Sequence, residues 1–215
     1  MKTIFALVAL GCVALVAGHG RLISPPARNC MWRYGFKNPI NYNDDEQYCG
    51  SFGTQWGKNK GKCGICGDPY HWKNKPHEDG GRYGNGIIGK VYKKGETIEV
   101  EVELTTSHQG WFEFRIGDYE FGKVEHIGNG MLKGHLLKTP GGSPRFYLPK
   151  NSGAGFYKTK LVLPADLTCN RCVMQWWYKT ANSWGCVNGD WNGKCGMGYG
   201  PQECFVNCAD VKIVG

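Results

Sequence analysis

The segment "TIEVEVELTTSHQGWFEFRI", residues 97–116, decides the fold. Ile98, Val100, Val102 and Leu104 alternate with Glu99, Glu101 and Glu103, and Phe112, Phe114 and Ile116 alternate with Trp111, Glu113 and Arg115. Successive side chains of a strand point to opposite faces, so each run predicts a strand with one face in a core. Further along, "KTKLVLP" (158–164), "CVMQWWYKT" (172–180) and "CADVKIVG" (208–215) are three more strand candidates. No segment keeps a helical period beyond about a dozen residues. The expected architecture is a mainly β, antiparallel β-sandwich. Residues 24–95, rich in Gly, Asn, Pro and Cys and without periodicity, predict long disulfide-pinned loops with short helical turns.

Upstream of these strands, Lys2, the apolar run from Ile4 to Val16, and the small residues Val16 and Gly18 have the pattern of a secretory signal cut after Gly18. The apolar run is shorter than the roughly 20 residues that a spanning helix needs. Removing 18 of the 215 residues leaves 197, a single domain over 19–215. The expectation is a secreted, extracellular monomer with no membrane partner. Of eleven cysteines, ten remain once Cys12 leaves with the signal, so up to five disulfides are expected. Cys63 and Cys66, with Cys169 and Cys172, form two CxxC pairs that would raise a zinc site in a cytosolic chain; export and the other cysteines favour disulfides. The net charge of +8 is scattered, "KNKGK" being its densest cluster, and no nucleic-acid-binding module accompanies it. No N-x-S/T sequon, repeat or linker is present in the sequence.

The loop between the first two strands, "TTSHQG", carries His108 to one end of the sandwich. Cleavage after Gly18 would make His19 the N-terminus, with an α-amine and an imidazole on one residue. An N-terminal strand ending at the same edge would bring three nitrogens around one point. Nitrogen donors in a planar T suit Cu(II), and the amine, with an ordinary pKa of about 7.7–8.0, must lose its proton to bind. In "GPQECFVNCADVKIVG", Phe205 would offer no ligand at an axial position and Glu203 could orient an oxidant; by spacing alone, a core aromatic and a surface charge are the preferred reading.

The chain as a whole resembles the lytic polysaccharide monooxygenases of auxiliary-activity family fifteen. The matching pieces are "HGRLISPPAR", "DDEQYCGSFGTQW", "GKCGICGDPY", "SHQGWFEFRI", "LPADLTCNRCVMQWWYKTANSWG" and "GPQECFVNCADVKI", spread over nearly the whole mature chain. The resemblance implies an immunoglobulin- or fibronectin-III-like sandwich, and one copper held in a histidine brace by His19 and His108. It also implies Phe205 at the axial position and Glu203 among the polar groups around the metal. Thr106 stands where family members often have Ala. The activity implied is oxidative cleavage of a crystalline polysaccharide at C1 or C4, driven by an external electron donor. Chitin with C1 oxidation is the expectation and cellulose the rival. Tyr42, in the loop "NPINYNDDEQY", is the candidate for stacking on a sugar. A non-catalytic chitin-binding or cuticle protein and a copper-transport protein are the alternatives, separated by whether reductant releases oxidised products.

Overall fold

The computed structural model describes residues 19–118, 126–127 and 130–215, so the signal expected at residues 1–18 lies outside the described residues. The strands, in chain order, are β1 (His19–Ser24), β2 (Lys90–Lys93), β3 (Thr97–Thr106), β4 (Trp111–Asp118), β5 (His126–Ile127), β6 (Met131–Leu132) and β7 (His135–Leu136). They continue with β8 (Phe146–Tyr147), β9 (Gly155–Val162), β10 (Cys169–Lys179), β11 (Trp184–Cys186), β12 (Cys195–Met197) and β13 (Cys204–Val214).

One sheet is β1-β3-β9; the larger one is β2-β13-β10-β4-β7, with β8 also paired to β4. The alternation predicted for β3 and β4 is what joins them. Leu22, Val100, Val102, Leu104 and Leu161 of the small sheet share one buried cluster with Phe112, Phe114, Met174, Trp176, Phe205 and Val211 of the large one. Fully burying a side chain such as Phe112 stabilises by about 1.5–3 kcal/mol, which fixes the register of each strand because a one-residue slip would expose the whole set. Gly20 permits the close approach of β1, since a Cβ there would lie 2.5 Å from Leu104.

β10 does not alternate, and the reason is a second covering. Its Val173 and Trp177 turn outward onto Cys49, Cys63, Ile65, Cys66 and Leu132, so the large sheet is buried on both faces. Gln175 stays satisfied there, donating to the Ile65 and Gly130 carbonyls and accepting from the Leu132 N–H. The loops over residues 24–89 hold only a 3-10 turn at Met31–Tyr34 and a π-helical turn at Gly53–Lys58, as their composition predicts. Among the described residues no helix is long and apolar enough to cross a membrane.

One expectation is corrected. The sandwich is not wholly antiparallel, because β2 runs parallel to β13. Parallel pairing needs a long crossover, which the chain between β2 and β13, residues 94–203, supplies. Of the up to five disulfides expected, four form among the described residues, Cys49–Cys63, Cys66–Cys208, Cys169–Cys172 and Cys186–Cys195, while Cys30 and Cys204 are free and buried. Cys30 lies in the core between the sheets and Cys204 in the cluster on the outer face, so the two are separated by the packing itself. Every cysteine of the two CxxC pairs is in a disulfide, which overturns the zinc alternative.

Candidate metal centre

β1 pairs with β3 so that His19 stands opposite Thr106. His108 follows two residues later, in the loop that leaves β3. Both imidazoles therefore start from one edge of the small sheet.

The loop carrying His108 is tied on every side. Its N–H donates to the Tyr178 hydroxyl (3.0 Å), which donates in turn to the Gln109 carbonyl (2.8 Å). The His108 carbonyl accepts from Ala181 N–H, and the Gln109 amide donates to Ser152 O. Gly110 closes the turn at φ 100°, where a Cβ would sit 2.1 Å from the Lys179 carbonyl oxygen. Only glycine meets both conditions. Burial pushes the Tyr178 phenol far above its usual range, so the hydroxyl stays protonated and keeps both bonds.

Carboxylates surround both rings. Asp45 Oδ2 lies 3.6 Å from Nδ1 of His19, Glu46 Oε1 3.3 Å from its Nε2, and Glu203 Oε2 3.4 Å from Nδ1 of His108. The Asn182 amide lies 2.6 Å from that same Nδ1. A carboxylate only accepts, so Glu203 calls for the proton on Nδ1 and leaves Nε2 of His108 with a lone pair. Asn182 places its Nδ2 toward that nitrogen and accepts from Thr180 Oγ1 (2.7 Å) through Oδ1; a half-turn of the amide plane would bring its oxygen to the same proton instead. Thr180 Oγ1 also lies 3.1 Å from the Glu203 carbonyl. On a chain of net charge +8, three carboxylates around two imidazoles make this edge a place for a cation.

Phe205 is fully buried, cross-strand from Tyr178 and stacked on it at 5.8 Å, one ring away from the backbone of His108. It also stacks on Tyr48 at 6.0 Å. Tyr42 is 82 % exposed, edge-on to Trp32, on the loop that delivers Asp45 and Glu46. Asp45, Glu46, Tyr178 and Asn182 escaped the sequence analysis. Only the spacing of acidic residues in "NDDEQY" signalled any of them, and that spacing is equally a solvated loop.

Among the described residues no group of three His, Cys, Asp or Glu side chains is arranged to hold a metal. A metal on His19 and His108 takes its third donor elsewhere, and the α-amine of a chain beginning at His19 is the nitrogen at hand. Two imidazoles and an amine form a donor set that copper suits.

A β-sandwich that brings two histidines to one edge among carboxylates is the frame of a candidate metal-binding domain. The chain matches the family described as "Lytic polysaccharide mono-oxygenase, cellulose-degrading" over residues 19–211, and it belongs to that family, whose members cleave polysaccharides oxidatively with copper. The solved structure of an AA15 lytic polysaccharide monooxygenase from Thermobia domestica in the Cu(I) state is 43% identical, with 91% of this chain and 98% of that one covered at a TM-score of 0.79. Two further structures are more distant. A cellulose-active lytic polysaccharide monooxygenase in complex with copper is 16% identical, covering 92% of this chain and 100% of that one at a TM-score of 0.42. One from Micromonospora aurantiaca is 15% identical, covering 90% and 99% at 0.43. No curated protein matches the chain.

Proposed function

We propose that the chain is secreted, is cut to begin at His19, and as a monomer cleaves crystalline chitin by oxidation at C1, holding one copper through the His19 amine and imidazole and through His108. The observation that carries the reading is the pairing of His19 with Thr106, which starts both imidazoles from one sheet edge amid three carboxylates. Copper, when bound, would supply the one-electron redox chemistry that takes electrons from an external donor and lets hydrogen peroxide or dioxygen oxidise a sugar C–H bond. The chain's own residues orient and shield. Glu203 takes the proton on Nδ1 of His108, and Phe205, buried and stacked on Tyr178, backs the His108 loop with a ring that offers no donor. Thr106, level with His19, adds a polar group at the rim.

Exposed aromatics supply the polymer contact. Trp184 is 64% and Trp191 73% exposed on the segment following Asn182, whose amide touches His108, and Tyr42 adds a third ring from the opposite loop. Flat arrays of β-1,4-linked sugars stack on such rings. Asn41, Asn43, Glu46, Gln47 and Trp72 line a cavity of about 530 Å³ beside the metal edge, and its mixed donors and acceptors suit a 2-acetamido group.

The test incubates copper-loaded protein with β-chitin and with microcrystalline cellulose, each with and without ascorbate, and reads soluble products by mass spectrometry. Aldonic-acid chito-oligosaccharides that require ascorbate are expected. Oxidised cello-oligosaccharides alone would move the substrate to cellulose, and binding without oxidised product would make the chain a chitin-binding protein. N-terminal sequencing of the secreted protein checks the start at His19.

A further inference from the structure

We propose that Glu46 is a positioning residue for the metal: it accepts a hydrogen bond from Nε2–H of His19 and so reserves Nδ1 of that ring for copper, a role that presupposes copper bound as proposed above. The α-amine and the imidazole of one histidine close a six-membered chelate through Nδ1. Nε2, on the far side of the ring, cannot reach a metal held by the amine. A neutral imidazole carries one proton, and whichever nitrogen holds it is lost as a ligand. The chelate therefore needs a proton acceptor at Nε2, and Glu46 Oε1 lies 3.3 Å from it.

Asp45 is the competing acceptor, 3.6 Å from Nδ1, and it would fix the opposite tautomer. Two observations favour Glu46. The nearer oxygen of Asp45, Oδ2, already accepts from the Thr105 hydroxyl at 2.7 Å, whereas Glu46 is the closer of the two to the ring. Glu46 is also held in place by its neighbours: the Asp45 carbonyl accepts from Gly20 N–H (2.9 Å) and the Gln47 carbonyl from Val206 N–H (2.8 Å). The residue is thereby clamped between β1 and β13 with its side chain facing the ring.

The arrangement mirrors the one at His108, where Glu203 takes Nδ1 and leaves Nε2. Each ring keeps the nitrogen that its own geometry can offer. A carboxylate on the distal nitrogen also raises ligand basicity, and losing such a partner commonly weakens metal binding roughly 10- to 100-fold.

The experiment uses protein beginning at His19 and compares Glu46→Ala, Glu46→Gln and Asp45→Asn with the parent. Cu(II) affinity is read by competition with a chelator, and the distal imidazole nitrogens by electron spin echo modulation, which senses the hydrogen bond at each. Glu46→Ala is expected to weaken Cu(II) binding about 10-fold or more and to shift one of the two distal-nitrogen signals. Glu46→Gln, which still accepts through its amide oxygen, is expected to restore most of both. Melting of the metal-free variants controls for folding, and the partly exposed Glu46 side chain predicts no change. Affinity and signals in Glu46→Ala equal to the parent's would overturn the role, as would a larger loss in Asp45→Asn. A parent protein that fails to bind one copper refutes the copper reading itself.

Discussion

Tyr178 uses one hydroxyl twice, accepting from His108 N–H and donating to Gln109 O, while its ring stacks on Phe205. Its replacement by Phe keeps the stacking and orphans two backbone groups of the loop that carries His108. Leaving a buried polar group unpaired costs about 1–3 kcal/mol. Tyr178→Phe is expected to lower stability by about 2 kcal/mol and to weaken copper binding through a looser His108; denaturant unfolding and copper titration measure the two. Unchanged affinity would show that Ala181 and Gln109 suffice to hold the loop. At this scale the sequence shows only part of the site. His108 is visible because a histidine interrupts an otherwise plain strand-to-strand loop, and His19 because it follows a stretch with the pattern of a secretory signal. Tyr178 sits 70 residues from the N–H it serves, inside a run whose pattern says only that it is a buried strand.

The element whose part in the proposed function is least visible in sequence is the β11–β12 hairpin. Trp184 stands opposite Met197, Gly185 opposite Gly196, and Cys186 opposite Cys195, with a disulfide closing the last pair. Strands of three residues with a central glycine show no alternation for a pattern to catch, whereas the eight- and ten-residue β4 and β3 do. A two-stranded ribbon this short is marginal alone. Its root is held by the buried Gln202, which accepts from Ser183 N–H and donates to the Ser183 and Tyr199 carbonyls. Beyond that root, the disulfide keeps Trp184 and Trp191 on a fixed frame. Without it the aromatic side chains must be ordered on binding, at about 0.5–1.5 kcal/mol each. The Cys186→Ala/Cys195→Ala pair is expected to bind chitin roughly 5- to 100-fold more weakly while binding copper as before. Pull-down isotherms alongside copper titration decide it, and a parallel loss of copper would instead mark the hairpin as part of the metal site's support.

For the whole molecule, cysteine chemistry separates what composition can say from what packing decides. An even count in an exported chain predicts disulfides, and four form, but which cysteines stay reduced depends on which cluster buries each. Cys30 is packed between the sheets with its thiol against the Leu22 carbonyl (3.2 Å), and Cys204 lies beside the Cys49–Cys63 bridge on the sheet's other face. Burial pushes both thiols up to about 12. The thiolate is the reactive form, so at pH 7 only on the order of one part in a hundred thousand of either is ready to react. A chain beginning at His19 is therefore expected to resist iodoacetamide when folded, to take two labels when unfolded without reductant, and to take ten when unfolded and reduced. Its mass should rise by eight hydrogens on reduction, matching the four bridges. A rise of ten hydrogens, with no label on the unfolded, unreduced chain, would mean that Cys30 and Cys204 have joined. Since they are buried in separate clusters, that result would require the β13 end and the N-terminal loop to pack otherwise than they do here, and with them the clamp that sets Glu46 against His19.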